Sequence, residues 1–318
     1  MRAITFVLTL TALLLGGCSE SSNVYTAIDE LSFADAALKA CVRETARKNG
    51  WTDAGHVDHL QCVNAQGRQI TDLSGIEHLV NLKELDLAHN AIADTRPVDG
   101  LKRLARLDLG YNRVSDIPEG AAYLSVTHLN LDHNRIRNVA WVGQFPALRF
   151  LSLAHNGLTD ISLLGDAHSL QVLDLSHNTI SDIHPLGTLA DLRELDLSDN
   201  RLASLDGLET LAKLENLYLA GNRIADIEAL GQLSELIELD LSYNQVSSLE
   251  PLGGLTDLAR ITLDENPLDS IGIMLNFGEL KRVSLKGVKG MPCPLIKQLK
   301  EQFGGSAVID DGNCETAS

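Results

Sequence analysis

The segment Leu170-Gln171-Val172-Leu173-Asp174-Leu175-Ser176-His177-Asn178-Thr179-Ile180-Ser181-Asp182-Ile183-His184-Pro185-Leu186 decides the reading of the whole chain, because it recurs. Its asparagine returns at Asn90, Asn112, Asn134, Asn156, Asn178, Asn200, Asn222, Asn244 and Asn266, always 22 residues on. Apolar residues stand eight, five and three places before each asparagine and another two places after it, as in Leu192, Leu195, Leu197, Asn200 and Leu202. A fixed period of about 20 to 29 residues marks a solenoid, whose units bury their apolar faces only by stacking on one another. A period of 22 residues holds a short strand, a turn and a return path, but not a full α-helix with two loops. A 3₁₀ or irregular return is expected.

The asparagine has a physical reason. Where a coil leaves its strand, backbone N–H and C=O groups turn inward without sheet partners, and a buried unpaired group costs about 1–3 kcal/mol. A carboxamide offers donors and an acceptor together; Asp lacks the donors and Leu lacks both. The chain therefore reads as an α/β solenoid, a right-handed superhelix with a parallel β-sheet on its concave face and the returns on its convex side. The column Leu79, Leu101, Tyr123, Phe145, Leu189, Leu211, Leu233, Leu255 and Phe277 forms the back wall, where Trp141 should also pack. A further column holds Asp94, Asp116, Asp160, Asp182 and Asp226.

Residues 1–17 read as a secretory signal: Arg2, an apolar run from Ile4 to Leu15 too short to span a bilayer, then Leu15-Gly16-Gly17-Cys18. That ending resembles a bacterial lipobox, which implies cleavage before Cys18 and acylation of it. Two or three acyl chains anchor stably, since each buried CH₂ contributes about 0.8 kcal/mol. Gram-negative lipoproteins kept at the inner membrane carry Asp where this chain has Ser19, so the same resemblance implies the outer membrane. Residues 18–27 form a short lipidated tether. Residues 28–72 hold a helical cap, with Leu31, Ala34, Leu38, Cys41 and Val42 on one face up to Asn49-Gly50. A degenerate first coil completes that segment, with Leu60, Val63, Ala65 and Ile70 one period before Leu82, Leu85, Leu87 and Ile92 and Arg68 in the asparagine's place. Nine coils fill residues 73–279. Residues 280–318 carry a decayed coil, Leu280, Val283 and Leu285 with Val288 replacing the asparagine, and a closing helix from Cys293-Pro294 with Leu295, Ile296, Leu299 and Phe303 on one side.

Apart from Cys18 there are four cysteines, which allow three pairings. Two lie at each end of a stack of strands spaced about 4.8 Å, and a disulfide needs Cα atoms within about 7 Å. Cys41 therefore pairs with Cys62 and Cys293 with Cys314, which requires an oxidising compartment. Together with the lipobox, this points to the envelope of a Gram-negative cell, on its periplasmic side or its surface.

With 26 Lys+Arg against 43 Asp+Glu the net charge is -17, which excludes nucleic acid as a partner. Anionic bilayer surfaces are disfavoured as well, so the membrane is held through the lipid. Side chains alternate across a strand, so the residues beside the central leucines face the concave side. There Phe150 and Val172 form an apolar pair, with Tyr111, Tyr218 and Tyr243 flanking it and His128 and Asn130 beside it; such a patch inside a polar rim is how a protein-binding hot spot looks. Asp174, Asp196 and Glu194, with Asp240 farther along, make an acidic column that favours a basic partner. His133, His155 and His177 follow one another with Asp132 near, but a linear ladder does not converge on a zinc that needs nitrogens within about 2 Å. No metal and no cofactor are expected. Charging stacked imidazoles near about pH 6 would make binding pH-sensitive. No G-x-S-x-G, Walker loop, H-E-x-x-H or cysteine–histidine pair appears, and the concave carboxylates belong to a flat open sheet, so an enzyme is not expected.

The repeat L-x-x-L-x-L-x-x-N-x-I-x-D-I with its P-L or x-L return, seen in the quoted segment, resembles the bacterial internalin-type leucine-rich repeat. Phe33-Ala34-Asp35 and Ala37-Leu38 resemble the internalin N-terminal cap. The resemblance covers roughly Ser32 to Val288; the lipobox and the cysteines in both caps depart from it. It implies a monomeric, non-enzymatic binder of host or envelope proteins through the concave face. The alternative is a rigid spacer or brace in the envelope without a discrete ligand.

Overall fold

The computed structural model describes residues 25–64, 67, 69–118, 123–312 and 314. The signal segment, Cys18, most of the tether, and Ala65 and Arg68 of the first coil lie outside the described residues.

The asparagines build the fold coil by coil. Asn178 Nδ2 donates to the carbonyls of Leu153 (3.0 Å), Leu175 (3.0 Å) and Ser176 (3.1 Å), and its Oδ1 accepts the Leu158 N–H (3.0 Å). The same four bonds recur at Asn90, Asn112, Asn134 and Asn156. They recur again at Asn200, Asn222, Asn244 and Asn266. Each carboxamide thus satisfies the turn of its own coil and of the coil before it, as its donors and acceptor allow.

Between these rungs run three-residue strands: β1 (His59–Gln61), β2 (Glu84–Asp86), β3 (Arg106–Asp108), β4 (His128–Asn130), β5 (Phe150–Ser152) and β6 (Val172–Asp174). The series continues with β7 (Glu194–Asp196), β8 (Asn216–Tyr218), β9 (Glu238–Asp240), β10 (Arg260–Thr262) and β11 (Arg282–Ser284), and closes with the two-residue β12 (Val308–Ile309). They form one parallel sheet whose strand order is the chain order. The central leucines, such as Leu151, Leu173 and Leu195, are buried. Between β1 and β11 the returns carry 3₁₀ turns, such as Ser162–Asp166 and His184–Thr188, except that from β3 to β4, where residues 119–122 lie outside the described residues. The aspartate column explains where several of them start: Asp160 Oδ1 accepts the Ser162 N–H (2.8 Å) and Asp182 Oδ1 the His184 N–H (3.0 Å), an Asx turn that Asp94 and Asp226 repeat. The back-wall column is buried. Trp141 packs edge-on against Phe145 with ring centroids 5.7 Å apart, and Phe145 stacks on Tyr123 at 4.5 Å.

The ends depart from the repeat in three places. The capping helix α1 (Ala36–Asn49) begins later than the apolar spacing suggests, because Asp35 Oδ1 takes the Ala37 and Leu38 N–H groups (2.7 and 3.2 Å) and starts the helix there; Leu31 and Ala34 precede it. Gly50, at φ 70°, ends it. The first coil is longer than the others. Leu60 pairs with Leu85 rather than Leu82, so Leu60 and Cys62 fill the inward strand positions and Val63 is only half-buried. At the other end α2 (Cys293–Phe303) lies on the side expected, and β12 adds a strand that the decayed repeat did not announce. Cys41–Cys62 and Cys293–Cys314 are disulfides, one in each cap.

Candidate functional site

The concave face is written in rows by the register. Phe150 and Val172 are partners on adjacent strands, and both are half-buried. His128 is the Phe150 partner on the other side, its ring stacked at 5.9 Å between centroids. Burial, with help from the Arg106 and Arg149 charges, holds the His128 imidazole below its ordinary value, which favours the neutral ring beside Phe150. Val172 pairs in turn with Glu194, so the apolar pair ends on an acidic side chain. Asn130 and Ser152 line the next row, followed by Asp174 and Asp196, which are direct partners.

That second row has a structural duty that the sequence reading missed. Asp174 Oδ1 accepts from Ser176 N and Oγ (3.0 and 2.7 Å), Asp196 Oδ1 from Ser198 N (2.8 Å), and Asp240 Oδ1 from Ser242 N and Oγ (2.9 and 2.6 Å). Asn130 does the same for Asp132 N (2.9 Å). Each side chain closes an Asx turn as the strand ends. Ser176 is consequently buried, not the surface residue that its small polar side chain suggests. Burial is the main cause that raises the Asp196 carboxyl above the usual range, and the Asp174 charge adds to it. Glu194 takes no part in such a turn.

The three tyrosines do not ring the apolar pair. Tyr218 lies on β8, two strands beyond Val172, between Asp196 and Asp240. Tyr111 and Tyr243 belong to the column before the asparagine, on the rim where the strands end, and are exposed (42% and 62%). Every member of that column has a left-handed backbone: φ is 58° at His89, 56° at Tyr111, 49° at His133, 50° at His155, 54° at His177, 53° at Asp199, 55° at Tyr243 and 58° at Glu265, and Gly221 completes it at 70°. Five of the rings stack in one ladder, His89–Tyr111–His133–His155–His177, with centroid spacings of 4.1, 3.9, 4.0 and 3.8 Å. His133 Nδ1 is 3.0 Å from Asp132 Oδ2, and His177 Nδ1 is 3.3 Å from Asp199 Oδ2. Among the described residues no group of three or more metal-ligating side chains converges.

The face is also less flat than an open sheet suggests. A depression of about 500 Å³ lies over β1 to β5, with Glu84, Arg106, Asp108, Asn130, His128 and Phe150 among its walls. Arg106 pairs with Glu84 across it at 3.2 Å. Burial raises the Asp108 carboxyl, and the charges of Asp86 and Asp132 add to that. Glu84, Arg106 and Asp108 stand in the same rows as the expected residues, so the 22-residue step was the signal that could have found them. The arrangement presents an apolar pair, Phe150–Val172, that ends on the Glu194 carboxylate.

The model for paired leucine-rich repeats matches residues 80–122, 146–188 and 190–232, and a second leucine-rich repeat model matches residues 102–158. Among solved structures the chain is similar to an internalin, InlF, of Listeria monocytogenes, with TM-score 0.75 and 21% identity over 93% of this chain and 94% of that one. It is also similar to internalin C2 of the same organism, with TM-score 0.58 and 31% identity over 77% of this chain and all (100%) of that one. A plant peptide hormone receptor, RGFR1 in complex with RGF2, shares the fold at TM-score 0.55 and 20% identity, over 69% of this chain and 42% of that one. A search of curated proteins gives no significant match.

Proposed function

Because the chain belongs to the leucine-rich repeat proteins of the internalin type, we propose that it binds a protein partner on the concave face while a lipid on Cys18 holds it to a Gram-negative outer membrane. The observation that carries this reading is the registered, half-buried pair Phe150–Val172. It offers an apolar anchor point with His128 on one side and Glu194 on the other, and central anchors with a polar surround carry most of the energy of protein interfaces. The carboxylate of Glu194, without a bonding partner among the described residues, and the charge of -17 favour a partner that presents Lys or Arg beside an apolar side chain. The chain acts as a single copy and performs no reaction.

Crosslinking capture from intact cells tests it, with the wild type beside the double variant Phe150→Ala, Glu194→Arg. Asp174 is the poorer choice, because its carboxylate closes a turn. One envelope protein captured by the wild type and lost by the variant, with unchanged circular dichroism, is the expected result. Identical captures would put the working surface elsewhere. A Cys18→Ala control in the same cells should move the protein out of the membrane fraction.

A further inference from the structure

Two residues after each member of the left-handed column, the rim carries a second column: Ala91, Arg113, Arg135, Gly157, Thr179, Arg201, Arg223, Gln245 and Pro267. Arg113 and Arg135 occupy successive coils, both exposed, and their backbones are tied to the coil before, Arg113 N to Ile92 O and Arg135 N to Val114 O (each 2.8 Å). The next place is empty, since Gly157 has no side chain, and Arg137 fills it: its Cγ lies 3.5 Å and its Nε 3.9 Å from where a Cβ on residue 157 would stand. Arg113 and Arg135 thus stand on successive coils, and the Arg137 side chain covers the matching place on the third. Among the described residues none of the three has an acidic partner within 4.0 Å, nor do Arg201 and Arg223 farther along the column, whereas Arg96, Arg106, Arg193 and Arg260 are paired; what sets the three apart is the third guanidinium, from Arg137, laid over Gly157. Unpaired like charges at one strand spacing repel, and they do so here in a molecule with a large excess of carboxylates.

We propose that Arg113, Arg135 and Arg137 form an anion site on the rim, apart from the concave face, for a compact saccharide that carries clustered phosphate groups. Guanidinium forks match phosphate oxygens two at a time. Tyr111, His133 and His155, stacked 3.9 and 4.0 Å apart, precede the arginine column by two residues on the same coils and carry O–H and N–H groups that suit sugar hydroxyls, although His133 Nδ1 already faces Asp132. Compactness follows from the charge: at physiological salt the field of a patch reaches about 8 Å, so a small ligand feels the three cations, while a long polyanion meets the acidic remainder. The phosphosugar could be free or could be the headgroup of a membrane glycolipid.

Calorimetric titration of the full chain with inositol hexakisphosphate tests the site. The triple variant Arg113→Ser, Arg135→Ser, Arg137→Ser should lose at least about tenfold in affinity, roughly the loss of one charge-assisted bond, with an unchanged unfolding midpoint. Gly157→Leu keeps every charge but displaces Arg137, and should weaken binding several-fold. Lys281→Ser, Lys286→Ser, Lys289→Ser removes as many charges elsewhere and should leave it intact. Flotation of the unacylated Cys18→Ala chain with phosphatidylcholine vesicles, with and without lipid A, separates the sources: lipid A-dependent recovery assigns a headgroup, and its absence with intact titration assigns a free phosphosugar. Equal affinity in the wild type and the arginine variant, equal loss in the lysine variant, or no binding of either probe by chains that keep the three arginines would overturn the proposal.

Discussion

Asn178 shows how much a single side chain does in this fold. Its four hydrogen bonds close its own turn and that of the preceding coil, all with little access to water, so truncation leaves several buried groups without partners. Asn178→Ala should cost roughly 3 kcal/mol or more, against a few tenths for the exposed Ser181→Ala; equal denaturation midpoints for the two would refute the ladder's role. The asparagine was legible in the sequence because only a carboxamide meets that demand at a fixed period. The aspartates of the concave face were not so plain. Asp174, Asp196 and Asp240 look like a charged surface in one dimension, and only the hydrogen bonds to Ser176, Ser198 and Ser242 show that they hold the chain's exit from each strand.

Among the elements, the ring ladder makes the clearest demand on its surroundings. Its members sit where the backbone is left-handed, which costs a residue other than Gly, Asn or Asp about 1 kcal/mol or more, and the stacking of neighbours at 3.8 to 4.1 Å offsets part of that. Burial, and then the charges of His133 and His177, lower the His155 imidazole from 6.5, while Asp132 and Asp174 act the other way. A lowered imidazole gives stability that is complete above the unfolded value and is lost as the pH falls through it toward the folded one. The wild type should therefore lose midpoint between about pH 7.5 and pH 5.5, and His155→Asn, which suits the left-handed backbone, should lose less; parallel curves would remove the ladder from the pH response. The column was visible as a column, but its stacking was not, because ring spacing depends on the strand spacing that the fold supplies. The register of β1 was misread for a related reason: Leu60 and Val63 fit the apolar spacing in sequence, yet alternation across the strand selects Leu60 and Cys62.

At the scale of the whole molecule each coil touches chiefly its neighbours, so stability is local and the ends are where it fails first. The disulfides close loops of 21 residues there, worth about 3 kcal/mol each. Reduction should speed hydrogen exchange in α1, β1, α2 and β12 and leave β5 to β8 unchanged; uniform acceleration along the chain would mean that the solenoid melts as one unit. Architecture, the caps and the cysteine pairing could all be read from residue spacing, because a repeat states its contacts many times over. The binding rows could be listed, but not their depth or which tyrosines share a patch, because those depend on register and exposure. The asparagine bonds also have a direction. Oδ1 of Asn112 takes the N–H of Ile92, Oδ1 of Asn134 that of Val114, and so on to Asn266 and Val246, so every coil is finished by the one that follows. A chain made from its N-terminus thus always has its newest coil incomplete, waiting for a residue not yet added, and shortening from the C-terminus reopens a turn that shortening from the front would not.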